Sequence, residues 1–222
     1  MDATDRAKQA AGIEAARIAK SGWVVGLGTG STTAYAIAEL GRRIRDEGAV
    51  YFGVPTSHSA EVLARRQKIP IRTLYDVERI DLAIDGADEV DRDRNLVKGS
   101  GGAHTREKIV DSFADLFVVV VDDSKFVSSL GHRMAIPLEV LSIAVPSVTR
   151  DVKKLGGSAE LRVATARQGH YGPVITDQGN MILDVKFPVI DNPKELECRL
   201  NSIPGVLENG IFAGMSPTIL VG

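Results

Sequence analysis

The sequence predicts an α/β fold in which a doubly wound, mostly parallel sheet is joined to a smaller α+β unit with an antiparallel sheet. Three observations predict it. Short apolar runs alternate with helical patterns as far as Val121. The last of these runs, Leu116-Phe117-Val118-Val119-Val120-Val121, is apolar on both faces, as a strand must be when helices cover both sides of its sheet. Beyond about Phe126 the alternation gives way to closely spaced strands, two of them separated by a hairpin turn.

The elements follow in order. The N-terminal stretch mixes Asp2, Asp5, Arg6, Lys8, Glu14, Arg17 and Lys20 with alanines. It has neither the apolar segment of a signal peptide nor the acid-poor composition of a transit peptide, and is expected to be a helix. Trp23-Val24-Val25-Gly26-Leu27 is a first strand, ending in a Gly/Thr/Ser turn and a helix marked by Ala34, Ile37, Ala38 and Ile44. Residues 50–54 are strand-like, 59–68 helical, and Asp81-Leu82-Ala83-Ile84-Asp85 strand-like again. Residues 105–114 form a helix before the apolar strand at 116–121. In the second part, residues 137–141, 160–164, 174–176 and 181–185 are expected as strands, and 148–155 and 194–202 as helices. Asp177-Gln178-Gly179-Asn180 is the hairpin turn. Residues 211–221 return to short apolar pieces that could rejoin the first sheet.

Composition narrows the function. The 222 residues are 44% hydrophobic and 25% charged, enough for a substantial core and incompatible with disorder. A net charge of −2, with no run of Lys or Arg, lacks the electrostatic footprint of a nucleic-acid binder. Cys198 is the only cysteine, so neither an intrachain disulfide nor a cysteine metal cluster can form; it fits a small apolar position in a helix. His58, His104, His132 and His170 form no zinc-binding spacing, and His104 is expected on a loop surface. No apolar segment reaches the roughly 18 residues of a membrane span, so the cytoplasm is the expected location.

Ligands of a doubly wound sheet sit beyond the C-terminal ends of its strands, and three loops at such ends carry chemistry. Gly26-Leu27-Gly28-Thr29-Gly30-Ser31-Thr32 can aim backbone N–H groups and hydroxyls at an anion. It fails as a dinucleotide fingerprint, which needs glycine at Ser31, and as a P-loop, which needs a lysine after the last glycine. Its simpler reading is a tight turn with Ser31 or Thr32 capping the helix. Asp85-Gly86-Ala87-Asp88-Glu89-Val90-Asp91 could bind a metal, orient sugar hydroxyls or form a solvated turn, but its spacing is not that of an EF-hand. Lys98-Gly99-Ser100-Gly101-Gly102-Ala103 lets the backbone approach a ligand closely, with Lys98 able to neutralise an oxyanion. Glu107, in the first turn of the next helix, either stabilises the helix dipole or serves as a base. The dipole would lower its pKa, and burial against a bound sugar would have to counter that.

In order along the chain, Gly28-Thr29-Gly30-Ser31-Thr32, Asp85-Gly86-Ala87-Asp88-Glu89 and Lys98-Gly99-Ser100-Gly101-Gly102-Ala103 followed by Arg106-Glu107-Lys108 resemble the signature segments of the A-type ribose 5-phosphate isomerases. Lys153-Lys154-Leu155-Gly156-Gly157, Pro173-Val174-Ile175-Thr176-Asp177, Ile203-Pro204-Gly205-Val206 and Asn209-Gly210-Ile211-Phe212 extend the resemblance over nearly the whole chain; residues 51–59 align only loosely. The resemblance implies a Rossmann-like α/β catalytic domain, residues 1–126 plus 205–222, with a small α+β domain, 127–204, inserted. It implies that Glu107 is the catalytic base, with Asp85, Asp88 and Lys98 as catalytic companions. It implies substrate contacts from Thr29, Gly30, Ser31, Thr32, Asp85, Gly86, Ala87, Asp88, Lys98, Gly99, Ser100, Gly101 and Lys125. It also implies a homodimer or homotetramer acting on a sugar phosphate without metal or cofactor, and without nucleic-acid or membrane partners.

The expected reaction is interconversion of D-ribose 5-phosphate and D-ribulose 5-phosphate through a cis-enediolate, in the non-oxidative pentose phosphate pathway. Two rivals share the architecture. One is a non-catalytic sugar-phosphate sensor, which would need a DNA-binding helical module that the start of the first strand near Trp23 leaves no room for. The other is an amino-sugar phosphate isomerase/deaminase.

Overall fold

A computed structural model describes residues 3–164 and 171–222; His170 lies outside them. The chain divides into two units, one of Met1–Ala87, Arg106–Lys125 and Met215–Gly222, the other of Asp88–Thr105 and Phe126–Gly214.

The first unit holds α1 (Ala3–Ile18), β1 (Val24–Leu27), α2 (Ser31–Glu47), β2 (Phe52–Pro55), α3 (His58–Arg66) and β3 (Leu82–Gly86). The second unit contributes β4 (Glu89–Val90) and β5 (Leu96–Val97) before α4 (His104–Ser112) returns the chain to the first unit and β6 (Phe117–Val121). The final strand of the chain joins the same sheet: Thr218–Val221 lies parallel to β6. The strand order is that C-terminal strand, β6, β3, β1, β2, all parallel. Chain order reverses between β1 and β3, so the switch point of a doubly wound sheet lies there.

Side-chain alternation explains how the faces are used. Val25 and Leu27 of β1, Leu82 and Ile84 of β3, and Val118 and Val120 of β6 join one core with α1, α2 and α3. The opposite face is covered by α4, where Val110 packs with Val54 and Ile80. A Cβ at Gly26 would come within 2.9 Å of Val110 Cγ1, so glycine in β1 lets α4 approach closely. All five residues of β6 are buried, as its apolar run predicts. The second strand begins at Phe52 rather than at residue 50; Val50 is half exposed.

In the second unit, β7 (Ile136–Val140), α5 (Val145–Lys154), β8 (Ser158–Leu161), β9 (Val163–Ala164), β10 (Gly172–Pro173), β11 (Met181–Lys186), α6 (Pro193–Asn201), β12 (Val206–Asn209) and β13 (Ile211–Phe212) precede the C-terminal strand, β14 (Thr218–Val221). An antiparallel sheet of order β12-β7-β11-β8 shares a core with α5 and α6. Two expectations are corrected here. Residues 174–176 are not a strand: β10 lies just before them, and Ile175 makes only a single bridge to Met181. The Thr176 hydroxyl is instead donated to the buried Glu139 carboxylate at 2.7 Å, and Thr176 N–H closes the Asp177–Asn180 turn onto Asn180 O at 2.9 Å. Of residues 211–221, only β14 rejoins the parallel sheet, because β13 pairs with β5 in a small three-stranded sheet with β4. Cys198 lies in α6 as expected, with its side chain exposed. Among the described residues, no helix is long and apolar enough to cross a membrane.

Glu89 fastens this small sheet to the segment 131–134 of the same unit. Its carboxylate is 1% exposed and accepts three backbone N–H groups, from Gly131 at 2.6 Å, Arg133 at 2.6 Å and Met134 at 2.9 Å. Hydrogen bonds to a charged acceptor are stronger than neutral ones. Glu89→Ala is expected to lower stability by about 2 kcal/mol, seen as a lower urea midpoint at unchanged slope; an unchanged midpoint would show that these contacts contribute nothing net.

Candidate active site

At the C-terminal edge of the parallel sheet, β1 and β3 end side by side. Gly28 N–H donates to Ile84 O at 2.9 Å, which brings the glycine loop against the end of β3. The Asp85 carboxylate, fully buried, accepts Thr29 N–H at 3.1 Å and Gly86 N–H at 2.7 Å, both at Oδ1. A Cβ on residue 28 would lie 2.2 Å from that oxygen. Glycine at 28 is therefore a matter of space: the carboxylate of Asp85 occupies the place a side chain would take.

Thr29 turns its hydroxyl toward the end of β2. Its Oγ1 donates to Ser57 Oγ at 2.7 Å and shares a hydrogen bond of 2.9 Å with Thr56 Oγ1. Ser57 Oγ in turn accepts Ala60 N–H and caps α3. Thr56 and Ser57 were not among the residues singled out from the sequence. Their only signal is the parallel pairing of Leu27 with Pro55, which makes the residues just beyond both strands neighbours. The cap of α2 is corrected: Gly30, not Ser31 or Thr32, occupies that position, without a side-chain bond. Gly30 and Ser31 are exposed, whereas Thr32 is buried.

Glu107 lies in the first turn of α4 and is 4% exposed. Because α4 carries the chain back to a strand parallel to β3, it runs antiparallel to the sheet, and its beginning stands over the strands' C-terminal ends. Residues three apart share a helix face, so Glu107 faces the sheet as Val110 does. Asp85 projects to the same side of the sheet as Ala83, two residues before it, and a Cβ on Gly26 would touch both Ala83 and Val110. Glu107 and Asp85 thus share one side of the sheet and one end of it. Lys125 ends a short 3-10 turn, Asp123–Lys125, and is half-buried. Beside it, the carboxyl of Asp122 is held below the usual carboxylate range, first by the hydroxyl of Ser124, against the opposing effect of burial, and then by Ser124 N–H and the charges of Lys125 and Lys8.

Apart from Gly86 and Ala87, the remaining candidates belong to the second unit. Asp88 accepts Ser100 N–H at 2.9 Å and Ser100 Oγ–H at 2.6 Å, joining two of the singled-out loops. Gly99 has φ 96°, a region that favours glycine, and a Cβ there would strike His104 Cβ and Pro137 Cγ at 2.7 Å. Arg162 donates to Gly99 O at 3.2 Å and Ser100 O at 3.0 Å. Lys98 is 2% exposed, with its ammonium 5.4 Å from the centre of the Phe212 ring. His104 is fully buried; the expected surface role is wrong, because the turn at Gly99 folds back onto its ring. Gly86 and Ala87 are half-buried and Gly101 is exposed. Asp91 serves its own turn, accepting N–H groups of Asp93 and Asn95 and the Asn95 amide.

Chemically, the first unit offers a buried carboxyl for proton transfer with hydroxyls and a helix start for an anion, and the second unit, by itself, offers a buried lysine for a developing negative charge. The family described as ribose 5-phosphate isomerase A (phosphoriboisomerase A) matches residues 52–222. A relative named ribose-5-phosphate isomerase A from Thermosynechococcus vestitus is 55% identical over 222 residues, covering 100% of this chain and 93% of the relative. The ribose 5-phosphate isomerase A structure from Methanocaldococcus jannaschii has a TM-score of 0.88 at 50% identity, covering 92% of this chain and 89% of that one. A D-ribose-5-phosphate isomerase structure in complex with phospho-erythronic acid has a TM-score of 0.92 at 45% identity, covering 97% and 93%.

Gly28→Ala is expected to push the Asp85 carboxylate out of its place, at an overpacking cost of about 1–3 kcal/mol, with both thermal midpoint and turnover reduced. A variant with both at wild-type values would show that Asp85 is not held against this loop.

Proposed function

This chain belongs to the ribose 5-phosphate isomerase A family, interconverting D-ribose 5-phosphate and D-ribulose 5-phosphate, and from that premise we propose that Glu107 carries the proton between C1 and C2 through a cis-enediolate. The observation that carries the proposal is the buried carboxyl at the start of α4. Membership of the family sets aside both the sensor and the deaminase readings.

In the aldose-to-ketose direction, the Glu107 carboxylate takes the proton from C2 of the open-chain sugar, and the C2–H electrons form the C1–C2 double bond as charge moves to O1. A hydroxyl proton passes from O2 to O1, and the carboxylic acid returns its proton to C1 as C2=O forms. One carboxylate is base and then acid, so no net proton is consumed. Delivery to the same face of the planar intermediate is what a single carrier imposes, and a cis arrangement keeps O1 and O2 on one side of the double bond, within reach of each other for the transfer of the hydroxyl proton. Asp85 and Asp88 orient or shuttle the hydroxyl protons and assist ring opening. Lys98 stabilises the negative oxygen, and the amides and hydroxyls of residues 29–32, with the segment 99–101 and Lys125, hold the substrate and its phosphate. The phospho-erythronic acid of the related structure supports this chemistry, because its planar carboxylate, with a phosphate at the other end, mimics the two oxygens of an enediolate. The reading includes a homodimer or homotetramer working in the cytoplasm.

Glu107→Gln is expected to keep KM within a few-fold of wild type while kcat falls by about 10²- to 10⁴-fold; full turnover would refute the role. Lys98→Met, similar in volume, is expected to lower kcat by about 10²- to 10³-fold with an unchanged circular dichroism spectrum, and unaltered kcat would remove Lys98 from the chemistry.

A further inference from the structure

Thr56 carries a hydroxyl to which the isomerisation just described gives no part. It follows Pro55, the last residue of β2, and is fully buried, so it acts on a ligand beyond the strand ends only through its neighbours. Its backbone N–H continues the pairing of β2 with β1 by donating to Leu27 O at 2.9 Å. Its hydroxyl lies 2.9 Å from that of Thr29. A hydroxyl has one proton to give, and that of Thr29 goes to Ser57 Oγ at 2.7 Å, so Thr56 is the donor in its bond with Thr29.

On the other side of β1, β3 holds the same segment in the same manner: Gly28 N–H donates to Ile84 O and Thr29 N–H to the Asp85 carboxylate. Residues 27–29 are thus gripped from both neighbouring strands, by one backbone bond and one side-chain bond on each side. The far end of the loop is fixed by α2 itself, since Gly30 O accepts Ala34 N–H at 3.1 Å and the Thr33 hydroxyl at 2.9 Å. Gly30, at the cap of α2, makes no side-chain bond, so no side chain there competes with an anion for the N–H groups of the first turn. Of the bonds that grip residues 27–29, only the one from the Thr56 hydroxyl can be removed without altering the backbone or a buried carboxylate.

Donors that are already aimed bind an anion better than donors that must be ordered when it arrives, because ordering costs conformational entropy. We propose that Thr56 is a positioning residue for the substrate's phosphate, its hydroxyl acting through Thr29 to hold the loop 29–32 in the conformation that grips it. The proposal rests on the reading of that loop as the phosphate holder. The phosphate takes no part in the bond changes at C1 and C2, so its grip is the same in the ground state and the transition state. Loss of such uniform binding raises KM and leaves kcat in place.

The test is the steady-state kinetics of Thr56→Val and Thr56→Ser with ribose 5-phosphate, together with amide hydrogen exchange over residues 28–33. Valine keeps the shape of threonine and removes the donor. Thr56→Val is expected to raise KM by about 3- to 10-fold, the worth of one hydrogen bond, with kcat within about two-fold of wild type and faster exchange in the loop. Thr56→Ser, which returns the hydroxyl, is expected to restore KM and the slow exchange. A purely structural role would lower the urea midpoint and leave KM and loop exchange at their wild-type values, which overturns the proposal. A fall in kcat at unchanged KM overturns it as well, and so does a KM that stays raised in Thr56→Ser. Should Thr56→Val fail to fold, Thr56→Cys, whose thiol is a weak donor, is measured and read in the same way. Ser31→Asp tests the phosphate reading separately, because a negative charge at the start of α2 is expected to raise KM by at least about 10-fold. Unchanged KM in Ser31→Asp refutes the loop as phosphate holder, whereas unchanged KM in Thr56→Val alone removes only Thr56.

Discussion

The space above Gly28 can hold either a side chain on the first loop or the carboxylate of Asp85, and the protein uses it for the carboxylate. Much of the architecture of the first unit's site follows from that exclusion. With Asp85 in place, Thr29 N–H has a partner, the first loop is drawn against the end of β3, and the Thr29 hydroxyl is left to meet those of Thr56 and Ser57. Three strand ends are thereby joined at the point where the sheet reverses its order, where the topology of doubly wound folds leaves room for a ligand. The short, buried apolar strands below supply the rigidity. A loop held at both ends by buried strands can keep a polar group fixed at little further entropic cost.

The acidic residues of this chain illustrate how similar side chains are assigned different tasks by their surroundings. Glu89 is committed to three backbone amides, Glu139 to the side chains of Thr176, Gln178 and Asn180, and Asp91 to its own turn. These are structural acceptors: each satisfies donors that would otherwise be buried at a cost of about 1–3 kcal/mol apiece. Asp85 and Asp88 each take hydrogen bonds from a loop that faces a strand end, so their partners place them as well as stabilise them. Glu107 differs again, because it is buried in the first turn of a helix, where the dipole favours its charge.

How much of this was legible in the sequence depends on the range of the interactions involved. β6 was legible because an apolar run on both faces has few other solutions, and α4 because its periodicity begins at a glycine-rich turn. Glu107 and the three loops could be named because their residue types cluster locally. The sheet of β4, β5 and β13 could not: each strand is two residues long, too short for any period, and β13 is paired with a segment far away in sequence. Thr56 and Ser57 have no local motif and become relevant only through the register of β1 on β2. Residues 174–176 look like a strand because all three are β-branched, but the competing demand of Glu139 for the Thr176 hydroxyl decides their conformation. His104 looked like a loop residue because glycines precede it, and the burial of its ring is set by the positive φ of Gly99, which one-dimensional reading does not reveal.

The central claim is that one buried carboxyl moves a carbon-bound proton, and solvent isotope exchange addresses it more directly than turnover. In deuterium oxide, the wild-type protein is expected to introduce deuterium at C1 of ribulose 5-phosphate on one face only, and Glu107→Gln is expected to introduce none on the same timescale. Exchange by Glu107→Gln at the wild-type rate, or incorporation on both faces by the wild type, would contradict it.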